Sequence, residues 1–190
     1  MVSSSAARYA LIAAAAAALL GGGQRAEPPP YAVVGHVPDR VDGQVFRTFA
    51  CDPAANRLYA GSDRGLFWID LAEPTRIKGP LFRKDIRKLE FAENLGRLFY
   101  FTDEEVGFID VGEPESPKRL SAGMRALDLA YEPVRRELYV ATRDPWLHVF
   151  QAHSGERTRI DLPGWFASSL EAAPGRVYMN VSPKTSLYVV

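Results

Sequence analysis

Apolar and polar residues alternate in short runs of four to six positions along most of this chain. Phe49 and Cys51 fall on one side of such a run and Ala50 on the other. Leu89 and Phe91 flank Glu90, and Leu127 and Leu129 flank Asp128. A period of two marks a strand, because successive side chains on a pleated backbone point to opposite faces. The runs are rich in aromatic and β-branched residues and are bounded by Asp, Asn, Gly and Pro, which predicts strands joined by tight turns. Beyond residue 27 no segment carries a convincing helical period.

The runs recur. Phe49–Tyr59, Leu89–Phe99 and Leu129–Tyr139 align without gaps, and their Leu-aromatic pairs at 58, 98 and 138 are spaced by 40. A fourth copy, Arg176-Val177-Tyr178, follows after 39. Each of the first three continues into a turn (Ser62–Gly65, Thr102–Glu105, Arg143–Pro145) and then an apolar run (Leu66–Asp70, Val106–Asp110, Trp146–Phe150). Glu73-Pro74 and Glu113-Pro114 come next, before a weaker apolar stretch ending near Leu81 or Leu120. Four short antiparallel strands, a to d, per 40 or so residues make the blade of a β-propeller. The expectation is an all-β chain with blades at 46–81, 86–120 and 126–162 and an incomplete blade at 166–190.

Asp52-Pro53-Ala54-Ala55-Asn56-Arg57-Leu58-Tyr59, with Trp68-Ile69-Asp70 after it, resembles the YVTN-type (YncE-like) propeller repeat. Phe108–Pro114 resembles the related LVIVD repeat, while the third copy departs, with Glu137 in place of Arg and Gln151 in place of Asp. The resemblance implies six to eight blades. Tyr31–Val37 reads as an orphan outer strand, complementary to a last copy that stops after strand c. Two readings follow: a propeller of four blades closed by the chain's two ends, or part of a larger one. The second is the expectation, since seven blades need roughly 280 residues.

The first residues read differently. Arg8 precedes the apolar run Ala10–Leu20, and the small residues Gly21–Gly23 and Ala26 follow it. That is the order of a secretory signal, spanning 1–23 with cleavage after Gly23 or Ala26, and the run is too short to span a bilayer as a helix. Residues 24–30, with Pro28-Pro29-Pro30, read as an extended linker. A periplasmic or secreted product, free of the membrane once cleaved, is the expectation.

Charge and chemistry narrow the function classes. Lys+Arg and Asp+Glu are both 23 among 190 residues. That balance gives no electrostatic footprint for nucleic acid. The one cysteine, Cys51, cannot form an internal disulfide; it reads as a buried core thiol. His36, His148 and His153 sit at no metal-ligand spacing. Asp52, Asp63, Asp70 and Asp110 recur from copy to copy, as turn-fixing residues do. No Glu/Asn/Asp set matches the metal sites of calcium-lactonase or quinoprotein propellers, so no catalytic residue, metal or cofactor is assigned. The d–a and b–c loops, which share one end of a propeller, supply seven positive and six negative residues. The ligand-binding candidates among them are Arg64, Arg83, Lys84, Arg87 and Arg143, with Trp146 and Trp165 at the same rim. The functional expectation is a non-enzymatic module that binds a protein or small molecule. The alternatives are a metal-dependent hydrolase or lactonase, and a propeller fragment inactive alone that self-associates through open blade edges.

Overall fold

A computed structural model describes residues 40–41, 44–73, 76–162, 164–182 and 186–190. The signal at 1–23, the linker at 24–30 and the orphan strand at 31–37 lie outside the described residues.

Every strand pairing is antiparallel, and the strands form four sheets in chain order. The first sheet runs β1 (Arg40–Val41), β2 (Gln44–Asp52), β3 (Arg57–Ser62), β4 (Gly65–Asp70) and β5 (Ile77–Phe82). The second contains β6 (Lys88–Ala92), β7 (Arg97–Phe101), β8 (Glu105–Asp110) and β9 (Lys118–Ala122). The third contains β10 (Asp128–Glu132), β11 (Glu137–Ala141), β12 (Trp146–Gln151) and β13 (Arg157–Asp161). The fourth holds β14 (Phe166–Ala173), β15 (Arg176–Ser182) and β16 (Ser186–Val189). These are the expected strands a to d, with β1 added as a short hairpin partner of β2 through Arg40↔Val45.

The repeat fixes the register. Leu58, Leu98 and Leu138 pair with Cys51, Phe91 and Tyr131, so the same rung recurs in three blades. The a–b turn recurs as well. Asn56, Gly96, Arg136 and Gly175 close it with φ of 53°, 58°, 57° and 75°. Gly and Asn tolerate that left-handed backbone at little cost; Arg does not. The acidic residue ending strand a fixes the turn: Asp52 Oδ1 accepts the Ala55 N–H at 3.0 Å. Glu132 accepts those of Val134 and Arg135 at 2.9 and 2.6 Å.

Among the described residues, three of the four apolar clusters lie in the seams between consecutive blades; the fourth, Phe46, Ala60, Phe67 and Ile69, lies within the first blade. Ala50, Tyr59 and Leu66 pack on Ile86, Leu89, Leu98 and Tyr100. Phe99, Phe101 and Val106 pack on Leu129, Tyr131, Leu138 and Phe150. Ala130, Tyr139, Leu147 and Val149 pack on Ala167, Leu170, Val177 and Met179. Each blade thereby buries on its neighbour the face it cannot bury alone.

Polar staples cross the same seams. Thr48 Oγ1 accepts the Leu89 N–H at 3.0 Å, and Asp128 Oδ2 accepts the Leu170 N–H at 2.8 Å. Lys88 reaches forward to Asp128 Oδ1. Tyr131 donates its hydroxyl to Asn94 at 2.7 Å, Asn94 donates to the Pro133 carbonyl at 3.0 Å, and Glu132 accepts the Gly175 N–H at 2.7 Å.

Candidate functional site

The b–c turns and the d–a connectors touch in every blade that has both. Ile86 N–H donates to the Ser62 carbonyl at 2.8 Å, Gly123 N–H to Glu104 at 2.6 Å, and Leu162 N–H to Pro145 at 2.7 Å. On these loops Arg64, Arg83 and Arg143 are exposed. Arg87 is bidentate with Asp103 at 2.6 and 3.1 Å and lies 3.2 Å from Asp85, which also takes Arg47 at 2.6 Å. Such exposed pairs contribute little to stability, and they leave Arg87 neutralised. Trp165 is half-buried and packs on the third seam, so it supports the core more than the rim.

Lys84 bonds Glu105, which is buried at 5% exposure and also accepts the Tyr100 hydroxyl at 2.9 Å and Arg119 Nε at 3.0 Å. Burial pushes this carboxyl up. The hydrogen bonds from Lys84 and Tyr100, and the charges of Lys84 and Arg119, outweigh burial and hold it below the ordinary glutamate value. Gly107 makes the node possible: a Cβ there would stand 2.6 Å from the Tyr100 ring.

The third blade replaces this node with a hollow. Its b–c turn, Thr142–Pro145, is one residue longer than Thr102–Glu104, which separates the same strands in the second blade. His148 therefore faces Val140 on the rung where Gly107 faces Tyr100. Trp146 then occupies the place of Glu105, and Arg159, paired with His148, the place of Arg119. Arg159 has no buried carboxylate such as Glu105 beside it and lies over the Trp146 ring at 5.1 Å. Its nearest acid is the exposed Asp161, at 3.5 Å. Arg157, two residues back on the same face of β13, has no carboxylate within ion-pair reach among the described residues. Together Trp146, His148, Arg157, Thr158 and Arg159 line a hollow of about 270 Å³.

His148 is 8% exposed, and its Nε2 accepts the Trp146 indole N–H at 3.1 Å. An accepting Nε2 is deprotonated, so the imidazole is neutral. Asp144 Oδ2 stands 3.5 Å from the same atom. Burial pulls the imidazole below its ordinary value; Asp144 opposes this, and Arg157 and Arg159 add to it.

A second hollow is lined by Phe108, Lys118 and Arg119 of the second blade and by His153, Ser154 and Gly155 of the third, and its cations are neutralised. Lys118 bonds Asp110 at 2.6 Å and Arg119 bonds Glu105 at 3.0 Å. Gln151 stands where Asp110 would be in the third blade.

Of the residues expected at a site, Trp146 lines the third-blade hollow. His148 reads from sequence as a structural strand residue, and Arg157, Thr158 and Arg159 carry no motif. The available signal was the third copy's departure from the repeat. Cys51 is half-buried, not a full core residue, and burial, then Asp52, push its thiol up. Asp70 fixes its turn through the Ala72 N–H at 2.9 Å, whereas Asp110 bridges Arg97 and Lys118 at 2.7 and 2.6 Å. Glu90 occupies the seam position filled by Ala50 and Ala130. Burial pushes its carboxyl up to about 7, with Glu171 and Asp128 adding to the effect and Lys88 and the Tyr131 N–H opposing it. Among the described residues no group of three His, Cys, Asp or Glu could hold a metal ion, and no helix is long and apolar enough to cross a membrane.

The sheets superpose on solved β-propellers. The β-propeller domain of Cps50 (Swd1) from Myceliophteria thermophila matches with a TM-score of 0.62 at 12% identity, over 77% of this chain and 53% of that one. The WD40 repeats of RRP9 match with 0.59 at 10% identity, over 79% and 52%. The computationally designed Ika4 protein matches with 0.58 at 15% identity, over 77% and 90%. The chain thus spans about half the length of the first two. No protein-family model and no curated protein matches the sequence. At these identities the likeness establishes the fold, a β-propeller repeat protein, and the function rests on the site.

Proposed function

We propose that this protein is an exported, non-enzymatic β-propeller module that binds a ligand, with the third-blade hollow as its binding site and the YVTN-type repeat as its family. One observation carries the reading: in the blade that departs from the repeat, a hollow beside Trp146 and His148 holds Arg157 with no carboxylate in ion-pair reach among the described residues and Arg159 with only the exposed Asp161 at 3.5 Å. The second blade neutralises its Arg119 through Glu105; the third lacks that buried carboxylate, and a ligand of opposite charge offsets the cost of its exposed cations. Repeat proteins bind through such local departures from a common scaffold. Export is supported by the order of Arg8, Ala10–Leu20 and Gly21–Gly23.

The purified chain is to be incubated with lactone, carboxylic ester and phosphoester substrates, with its metal content measured on the same sample. The module reading expects no turnover and no stoichiometric metal. Turnover that tracks a tightly bound metal would overturn it. A fusion of residues 1–30 to a reporter active only outside the cytoplasm tests export: an inactive reporter overturns that part.

A further inference from the structure

We infer that the third-blade hollow binds an oxyanion, a phosphate or sulfate group held between the guanidiniums of Arg157 and Arg159 beside Trp146 and His148. The inference rests on the binding-module reading and adds the class of ligand.

The geometry selects this class. Arg157 and Arg159 alternate on β13, opposite Phe150 and His148, so both side chains leave the same face. Residues two apart on a strand are about 6.6 Å apart. That is close enough for two guanidiniums to converge on one tetrahedral group, and Arg presents up to five N–H donors in a planar fork suited to such oxygens. In the second blade, Glu105 meets Arg119 through a carboxylate at 3.0 Å. The third blade keeps the cation as Arg159, adds Arg157, and puts an indole where the carboxylate stood. The indole fills the wall without competing for the guanidinium donors. A cation, a neutral sugar or an apolar ligand would leave Arg157 uncompensated and Arg159 with only the exposed Asp161 at 3.5 Å.

His148 reports occupancy. An anion between the guanidiniums would cancel the two charges that help hold its imidazole down, so its titration would move upward on binding. Protonating Nε2 would also break the Trp146 bond and turn the imidazole toward Asp144, changing the environment of the indole. The groups facing His148 are Asp144 on its own turn and Arg157 and Arg159 on the neighbouring strand.

The test is NMR of the full chain, following the histidine ring signals across pH with inorganic phosphate, inorganic sulfate or phenyl phosphate added and chloride as the ionic-strength control. His148→Gln assigns the signal. Binding predicts that the His148 midpoint rises and saturates while His153, beside the neutralised cations of the second blade, stays in place. Arg157→Gln and Arg159→Gln abolish the rise, and Arg76→Gln on the first blade retains it. Saturation by the inorganic ions alone identifies a free-ion site; tighter saturation by phenyl phosphate identifies an ester-carrying ligand. A drift that chloride reproduces, an equal movement of His153, or a rise that survives both arginine substitutions overturns the inference. Those results leave the binding-module reading standing, because turnover decides that reading separately. Both arginines are exposed, so the variants fold, and a thermal melt on each confirms it.

Discussion

Asp128 Oδ2 accepts the backbone N–H of Leu170 at 2.8 Å, joining the innermost strand of the third blade to that of the fourth. Forty residues make a period here, and two periods earlier Thr48 does the same for Leu89 at 3.0 Å. Between them Lys88 occupies the equivalent place and reaches forward to Asp128 instead.

Asp128 therefore serves two seams, and its loss strands a buried N–H on one and an ammonium on the other. Asp128→Ala is expected to destabilise by about 2–4 kcal/mol, and Thr48→Val by about 1 kcal/mol, since hydrogen bonds to charged groups are the stronger class. Asp128→Asn keeps an acceptor and falls between. Urea denaturation of the three variants measures this, and equal losses for Thr48→Val and Asp128→Ala would refute the double role.

Glu90 and Glu105 lie in one blade and have opposite pH signatures. Glu90 is raised to about 7, so between the unfolded glutamate value and 7 the folded state holds a proton the unfolded state has lost. Stability falls as pH rises through that window and then levels. Glu90→Gln should stabilise the protein above pH 7 by about 1–3 kcal/mol and make little difference below pH 4. Melting curves from pH 4 to 8.5 read the crossing, and a pH-independent effect would contradict it.

Glu105 is lowered, so its contribution is present above the unfolded value and is lost as pH falls through the folded one. Glu105→Ala strands Lys84, Tyr100 and Arg119 and should cost about 3–5 kcal/mol near neutrality, with the difference shrinking in acid. Chemical denaturation at pH 7 and pH 3.5 gives the comparison.

Arg136 carries a φ of 57° in the turn where the other copies have Asn56, Gly96 and Gly175. It is exposed and has no ion pair among the described residues, so only backbone strain distinguishes it. Arg136→Asn should stabilise by about 0.5–1 kcal/mol. A lower melting temperature for that variant would show that the side chain does work the turn geometry hides.

The strands and their rungs were legible because alternation and the 40-residue spacing both act locally: Leu58, Leu98 and Leu138 could only fall on the same rung. The turn role of Asp52 was legible for the same reason, as its acceptor lies three residues from its donor. The third-blade hollow was not. It arises because one extra turn residue moves His148 onto the rung of Gly107, and because Arg159 crosses from β13 to reach Trp146 on β12. A one-residue offset is invisible to a motif read by spacing, and a cross-strand stack joins residues 13 apart in sequence. The half-buried surroundings of Glu90 were equally hidden, since alternation placed its neighbours Leu89 and Phe91 but could not say what faced the carboxyl.

The seams carry one more consequence. A chain of near-identical units has an ambiguity: each could dock on any other, or on the same unit of a second molecule. Here the junctions do not share a chemistry. One is joined by a threonine, the next by an ammonium and an asparagine, and the third by two carboxylates. Each seam is in effect addressed to one pair of blades, so the blade order is written in the joints while the blades themselves stay interchangeable in outline.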